Sequence, residues 1–144
     1  MQDRAELHSV SVSAAIFDGD QVLVVQRRDN GKWEPPGGVM HRSETIEAAL
    51  LREVKEETGL DIAIDGMSGV YKNVAAGVVA LVFRASPAAG QLTLNDEVAA
   101  FRWLTFDEVG EMVHPVFAAR LLDAWLKEIA VRDHDGERFI YASA

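Results

Sequence analysis

The chain has 144 residues, 49% of them hydrophobic, which is typical of one globular domain, residues 1–144, large enough to bury a core without crosslinks. It has no cysteine, no secretory signal and no run near the ~20 apolar residues of a membrane span, so we expect a cytoplasmic location and no membrane partner. Lys and Arg number 14 against 23 Asp and Glu, and the net charge of −9 excludes duplex nucleic acid as a partner.

The N-terminal part of the chain predicts two strands joined by a tight turn. Residues 10–17 form the first strand and residues 21–28 the second, in which successive side chains point to opposite faces. Arg27 and Arg28 end the second strand. Each of them either reaches a phosphate group of a ligand or ends a solvated strand, and both alternatives stay open.

Residues 29–38, DNGKWEPPGG, predict a loop because glycine and proline crowd this stretch. Trp33 either covers a substrate base or caps the core, and we favour the core. The two prolines stiffen the chain, whereas Gly37 and Gly38 allow the backbone to pass close to a ligand.

Residues 44–58 predict an amphipathic helix, around which the rest of the sequence is organised. Ser43 can cap its N-terminus, with Glu44 and Glu47 in the positive first turn, and Gly59 ends it. Four apolar residues lie within about 80° of one direction and form the stripe that faces the core. They are Ile46, Ala49, Leu50 and Val54.

Three carboxylates fall on or beside the same stripe. Glu53 and Glu57 lie within about 20° of the direction of Ile46, and Glu56 lies within about 80°. Carboxylates on a half-buried face repel one another, and Arg52 alone cannot neutralise three of them. A divalent cation with oxygen ligands, Mg²⁺, Mn²⁺ or Ca²⁺, would neutralise them. The other interpretation is a solvated, charged helix end, but the overlap with the apolar stripe favours the metal site.

Residues 38–60, GVMHRSETIEAALLREVKEETGL, resemble the Nudix box, with every fixed position of that motif filled. The resemblance implies an α/β fold, the Nudix-type α/β/α sandwich with a mixed β-sheet. It also implies a hydrolase that uses Mg²⁺ or Mn²⁺ to cleave a diphosphate linkage in a small nucleotide-type substrate. The alternative is a catalytically silent module that binds or senses a nucleotide, and the intact acids Glu53, Glu56 and Glu57 favour the enzyme.

The resemblance also assigns roles to individual residues. Glu53 is the candidate general base, and Arg52 holds the acids of the box in place through ion pairs. Glu44 is structural, because it is expected on the opposite side of the helix from Glu53, and Gly37 and Gly59 are structural too. The implied metal ligands are the carbonyl of Gly38 (or of Gly37) and the carboxylates of Glu53, Glu56, Glu57 and Glu97. The implied substrate-binding residues are Arg27, Arg28, Trp33 and Arg42.

Downstream of the box the sequence predicts further strands and two helices. The strands are residues 61–64, 67–73, 78–85 and 101–104, with a turn at 75–77 and a loop at 86–90. Thr105 caps a helical turn over residues 106–112. Residues 116–131 predict a long last helix, whose wide apolar face packs on the sheet.

The tail, residues 132–144, carries two features that the box does not explain. Residues 133–135, Asp-His-Asp, look like a metal triplet, but turn residues follow them, so we predict a polar loop. Residues 138–141 predict an extra edge strand or a dimer contact. The protein is therefore expected to be a monomer or a homodimer.

The markers of several Nudix subgroups are missing from this sequence. A proline downstream of the box goes with ADP-ribose hydrolysis, but residues 75–77 of this chain are Ala-Ala-Gly. Tyr71 lies too close to the box to match the marker for dinucleoside polyphosphates. By elimination, we expect a nucleoside triphosphate or a broad range of nucleoside diphosphates linked to a group X.

Overall fold

The computed structural model describes residues 6–141; the expected domain also takes in residues 1–5 and 142–144, which lie outside the described part. The strands are β1 (Ser9–Asp18), β2 (Gln21–Arg27), β3 (Trp33–Glu34), β4 (Gly37–Val39), β5 (Leu60–Asn73), β6 (Val78–Gly90), β7 (Val98–Leu104), β8 (Ala130–His134) and β9 (Phe139–Ile140). The helices are α1 (Ile46–Thr58), α2 (Phe106–Met112) and α3 (Pro115–Leu122), and α3 continues as a 3₁₀ helix over Asp123–Trp125.

These strands form one mixed sheet in the order β3-β2-β1-β6-β5-β8-β9, with β4 paired to β1 and β7 paired to β2. β1 runs parallel to β6, from the pair Ser9 and Val78 to the pair Ile16 and Ala85, and β8 runs parallel to β5. The other strand pairs are antiparallel. The central strands β1, β6 and β5 are therefore hydrogen-bonded to a neighbouring strand on each side.

Helices cover both faces of this sheet. On one face α1 packs through Leu50 and Val54 on apolar side chains of β1 and β2. On the other face α2 and α3 pack through Val109 and Leu121. β2 serves both cores because its side chains alternate, with Leu23 under α1 and the residues on either side of it under α2 and α3. The expected α/β/α sandwich is confirmed.

The central helix begins two residues later than predicted. Its N-cap is Thr45 rather than Ser43, and the Thr45 hydroxyl accepts a hydrogen bond from the N–H of Ala48 (3.1 Å). Threonine satisfies a free N–H of the first turn as serine would, so either residue could have served. Glu44 consequently precedes the helix instead of lying in its first turn.

Burial along α1 follows the predicted stripe only from Ala49 onwards. Ala49, Leu50 and Val54 are buried, whereas Ile46 is 43% exposed because the first three residues of the helix face solvent. The predicted end is confirmed: Gly59 has a φ of 82°, the left-handed conformation that glycine adopts without strain.

Several stretches predicted as loops or breaks are strands. β3 and β4 lie in the glycine- and proline-rich segment after β2, and residues 86–90 extend β6, where Gly90 pairs with Leu60. The two stretches predicted on either side of Gly66 join in β5, with a register shift beside that glycine. Glycine and proline lower strand propensity, but a neighbouring strand with free hydrogen-bonding groups overrides it.

The predicted last helix over residues 116–131 is wrong. α3 ends at Leu122, and residues 130–134 form β8. Polar contacts end the helix: the buried Asp123 carboxylate accepts hydrogen bonds from Tyr71 Oη (2.8 Å) and from Arg132 Nε and Nη2 (2.7 Å each). Arg84 Nε also donates to the carbonyl of Ala124 (2.8 Å). Two apolar residues expected on the part of the helix beyond Leu122 are exposed: Leu126 (58%) and Ile129 (58%).

The tail lies at the edge of the sheet. β9 pairs antiparallel with β8 and lies in the stretch for which an edge strand was one of two expectations; the dimer contact stays a prediction. His134 is fully buried instead of lying in a polar loop, because β8 carries it into the core beneath Phe117 and Phe139. Within residues 6–141, no helix is long and apolar enough to span a membrane.

We predict that the hydrogen bond from the Tyr71 hydroxyl to Asp123 contributes measurably to the stability of the fold. Tyr71→Phe should lower the free energy of unfolding by about 1–2 kcal/mol, because the buried Asp123 carboxylate loses a donor. Urea unfolding checks this value. Tyr141, 77% exposed, is the matched control, and Tyr141→Phe should change the stability by less than about 0.5 kcal/mol. Equal losses in the two variants would contradict the assignment.

Candidate active site

A cavity of about 580 Å³ is lined by the end of β2, by β3 and β4, by one face of α1 and by the segment that leads into β7. Most of the residues predicted for the site meet here, although they come from distant parts of the sequence. The lining residues are Arg27, Arg28, Asp29, Glu34, Gly37, Gly38, Glu53, Glu57, Asp96, Glu97 and Val98.

The glycine pair allows the acids of α1 to lie against the backbone of β4. A Cβ at Gly37 would collide with the backbone oxygen of Val12 and with Ser13 on the neighbouring strand β1. A Cβ at Gly38 would collide with the carboxylate of Glu53. Gly37 therefore requires glycine because fixed backbone surrounds it, whereas Gly38 lies against a side chain that can shift. The close approach of a ligand to this pair stays a prediction.

Glu57 carries the strongest electrostatic perturbation in the cavity. Its side chain is buried, and its carboxylate accepts one hydrogen bond among the described residues, from the N–H of Gly37 (3.1 Å). The pKa of Glu57 is raised to about 8, mainly by burial and to a smaller extent by the negative charges of Glu34, Glu53 and Glu97, while the Gly37 N–H opposes the shift. A nearby cation would reverse this unfavourable environment.

Arg52 gathers the other acids of the helix. Its guanidinium donates to Glu44 through Nε (2.6 Å) and Nη2 (2.8 Å), and to Glu53 (2.8 Å) and Glu56 (3.3 Å) through Nη1. The hydrogen bonds from Arg52 and from the N–H of His41 lower the pKa of Glu44 to about 2. The expectation that Glu44 lies on the opposite side from Glu53 is wrong, because Glu44 precedes the helix and folds back onto Arg52.

Glu56 does not line the cavity with the other acids. Its side chain is 60% exposed and turns toward Arg52. Its position on the helix, about 80° from the direction of Ile46, lets a long side chain point either to solvent or to the core. Within residues 6–141, no three acidic or histidine side chains form a ready-made metal site. The donor set is nevertheless made of oxygens and includes a buried carboxylate without a counter-charge, which fits a hard divalent cation such as Mg²⁺ or Mn²⁺.

The predicted arginines differ in their surroundings. Arg27 is bound by Asp29 (2.9 and 2.6 Å) and by Glu34 (3.3 Å), so its charge is already compensated in part. Arg28 donates through Nε to the backbone carbonyl of Asn95 (2.8 Å). Arg42 is exposed and does not line the cavity.

Glu34, Asp29 and Asp96 also line the cavity, and the sequence reasoning missed them. Glu34 is the most notable of them, because burial raises its pKa while the charge of Arg27 opposes that shift. An acid placed between Trp33 and two prolines, in a segment that leads to the glycine pair, is the signal that could have found it.

A second cavity of about 500 Å³ shares Arg27 and Glu34 with the first. Trp33 lies here, half-buried and packed against the core under α2 and α3, as the preferred interpretation expected. Phe117 and Met112 line the same cavity. The second cavity therefore adjoins the first at Arg27 and Glu34 and adds an aromatic and apolar lining.

Known proteins resemble this chain over most of its length. A family model described as NUDIX domain matches residues 7–125. A MutT-like protein of Streptomyces ambofaciens is 48% identical over 139 residues, 94% of this chain and 90% of that protein. An ADP-ribose pyrophosphatase of Methanocaldococcus jannaschii is 33% identical over 102 residues, 65% of this chain and 60% of that protein. The crystal structure of a NUDIX hydrolase from Nitrosomonas europaea has the same fold, with a TM-score of 0.76 at 20% identity over 90% of this chain and 81% of that one.

The raised pKa of Glu57 predicts that the metal-free protein loses stability as the pH rises. The folded state holds a proton on Glu57 up to pH about 8, whereas the unfolded chain releases it near the ordinary value of 4.5. The stabilising contribution is therefore complete below pH 4.5 and is lost by about pH 8. Glu57→Gln keeps the shape without the charge, so it should be more stable than the wild type at high pH, by on the order of a few kcal/mol.

Urea unfolding in EDTA at several pH values across this interval tests the prediction. The stability difference between Glu57→Gln and the wild type should grow steadily with pH. A difference that is independent of pH would show that Glu57 ionises normally in the folded protein.

Proposed function

Because this chain belongs to the Nudix family of hydrolases, we propose that it cleaves a diphosphate linkage in a nucleoside triphosphate or in another nucleoside diphosphate linked to a group X. The cavity that Glu53, Glu57 and Glu97 share with Arg27 and Arg28 carries this proposal. Carboxylates suit a metal ion, and guanidinium groups suit phosphate oxygens. A polyphosphate with its metal ion needs both, especially on a chain with a net charge of −9.

Nudix hydrolases generally use divalent metal ions, and Mg²⁺ or Mn²⁺ is the proposed cofactor here. Glu57, Glu53, Glu97 and the carbonyl of Gly38 would hold it, since all four residues line one cavity. Glu56 joins them if its side chain rotates away from Arg52. Such an ion stabilises the charge that develops on phosphate oxygens and lowers the pKa of a bound water.

Glu53 is the proposed general base. Arg52 holds its Oε1 (2.8 Å), while Oε2 lies next to Gly38 and has no hydrogen bond to the described residues. Oε2 is therefore able to take a proton from a water molecule as the water oxygen attacks phosphorus. The new P–O bond replaces the bond to the bridging oxygen, which leaves with the other phosphate group.

The rest of the substrate would occupy the second cavity. Arg27 and Arg28 are the proposed phosphate-binding residues, and Trp33 is proposed to contact the base or the group X beyond them. Trp33 and Phe117 offer the aromatic surface that a planar base requires. ADP-ribose belongs among the substrates to be tested because of the relative that carries that name.

A nucleotide panel with Mg²⁺ or Mn²⁺ tests the proposed function. We expect release of phosphate, pyrophosphate or a nucleoside monophosphate from at least one compound, and loss of that activity in EDTA. Glu53→Gln should lower kcat by about 100-fold or more with an unchanged circular dichroism spectrum, because the general base is removed. Full turnover in EDTA would overturn the role of the metal. Nucleotide binding without turnover by the wild type would favour the silent binding module.

The placement of the phosphates predicts a contrast between three arginines. Arg27→Ala and Arg28→Ala should each raise KM by about tenfold, the effect of ~1.4 kcal/mol of lost phosphate contact. Arg42→Ala should change KM little, because Arg42 lies within the Nudix box but outside the cavity. Steady-state kinetics at low and moderate salt provide the measurement. If Arg42→Ala alone raised KM, the phosphates would lie outside this cavity.

A further inference from the structure

Asn95 connects two segments that carry the proposed metal ligands. Its Nδ2 donates to the carbonyls of Glu56 (3.2 Å) and Glu57 (2.8 Å) at the end of α1. Its Oδ1 accepts from the N–H groups of Glu97 (2.9 Å) and Val98 (3.0 Å). We infer that Asn95 is a positioning residue that fixes Glu97 relative to Glu57, and this inference rests on the proposed function.

The backbone of Asn95 extends the connection to the end of β2. Arg28 donates through Nε to the carbonyl of Asn95 (2.8 Å), and the N–H of Arg28 donates to the carbonyl of Glu97 (2.9 Å). One residue therefore joins the helix, the segment before β7 and the arginine proposed to bind phosphate. These three segments line the same cavity.

The pattern of donors and acceptors is specific to asparagine. Two carbonyls face one end of the Asn95 amide and two N–H groups face the other, so the orientation of the amide is unambiguous. An aspartate would keep the acceptor but would lose both donors. The carbonyls of Glu56 and Glu57 belong to the last turn of α1, which has no partners for them within the helix.

Glu97 depends on these bonds because packing does not hold it. Its side chain is exposed, whereas Glu57 is buried against the sheet. The position of Glu97 relative to Glu57 is thus set by its backbone hydrogen bonds to Asn95 and Arg28. If the segment that carries Glu97 became mobile, the two carboxylates would move apart, and a cation bound by both would bind less tightly.

Mn²⁺ binding without nucleotide, measured by calorimetry on folded protein, tests this role. Asn95→Ala and Asn95→Asp should each weaken Mn²⁺ binding by about tenfold or more. The negative charge of the aspartate would by itself strengthen cation binding, so weaker binding in Asn95→Asp would identify the two donated hydrogen bonds as the cause. Should Asn95→Ala fail to fold, Asn95→Asp carries the test.

Lys55→Ala is the matched control. Lys55 Nζ also donates to a carbonyl at the end of α1, that of Gly59 (3.2 Å), and it pairs with Asp61 (3.3 Å) without touching Glu97 or Arg28. It should leave Mn²⁺ affinity unchanged. Wild-type affinity in both Asn95 variants, or an equal loss in Lys55→Ala, would overturn the inference. No Mn²⁺ binding by the wild type would overturn the proposed function and this inference with it.

Discussion

The burial of the Glu57 carboxylate is the constraint on which the rest of the site depends. Its side chain lies on the core side of α1, one turn after Val54, and accepts a hydrogen bond from the N–H of Gly37. Isolated buried carboxylates are costly, so the fold must gain this energy elsewhere. The apolar contacts of Leu50 and Val54 beneath the same helix supply it.

The acids of the helix are divided into two groups by where the positive charge lies. Arg52 donates hydrogen bonds to Glu44, Glu53 and Glu56 on one side, whereas Glu57 on the core side has like charges as neighbours. A cation bound in the cavity would therefore displace the proton that Glu57 otherwise holds and would offset the like charges around it. Arg52 at the same time holds Glu53 in place through a hydrogen bond to Oε1 (2.8 Å).

Features that depend on neighbouring residues in the chain could be predicted from the sequence. The end of α1 at Gly59, the alternation of β2 and the Thr105 cap of α2 follow from residue types at fixed spacing, and the structure agrees at each of them. The last helix could not be predicted correctly, because the apolar pattern of residues 116–131 carries no information about the pairing of Asp123 with Tyr71 and Arg132. That pairing depends on the tertiary fold.

In the candidate site, too, some features could be predicted from the sequence and others depend on the tertiary fold. The acids of the motif were predicted from spacing and Glu97 from the family resemblance. The outward rotamer of Glu56 and the bridging bonds of Asn95 instead depend on which groups become neighbours in space. Glu34 could have been found from its place between Trp33 and two prolines, but its contacts with the neighbouring strand β2 and with Arg27 depend on the fold.

The two adjacent glycines of β4 differ in what surrounds them, and this difference bears on how the protein can evolve. A side chain at Gly37 would press on the fixed backbone of β1, whereas one at Gly38 would press on the carboxylate of Glu53, which can move. Selection on the first glycine therefore acts through the yield of folded protein. Under the role proposed for Glu53, selection on the second acts through the rate of the reaction in molecules that have already folded.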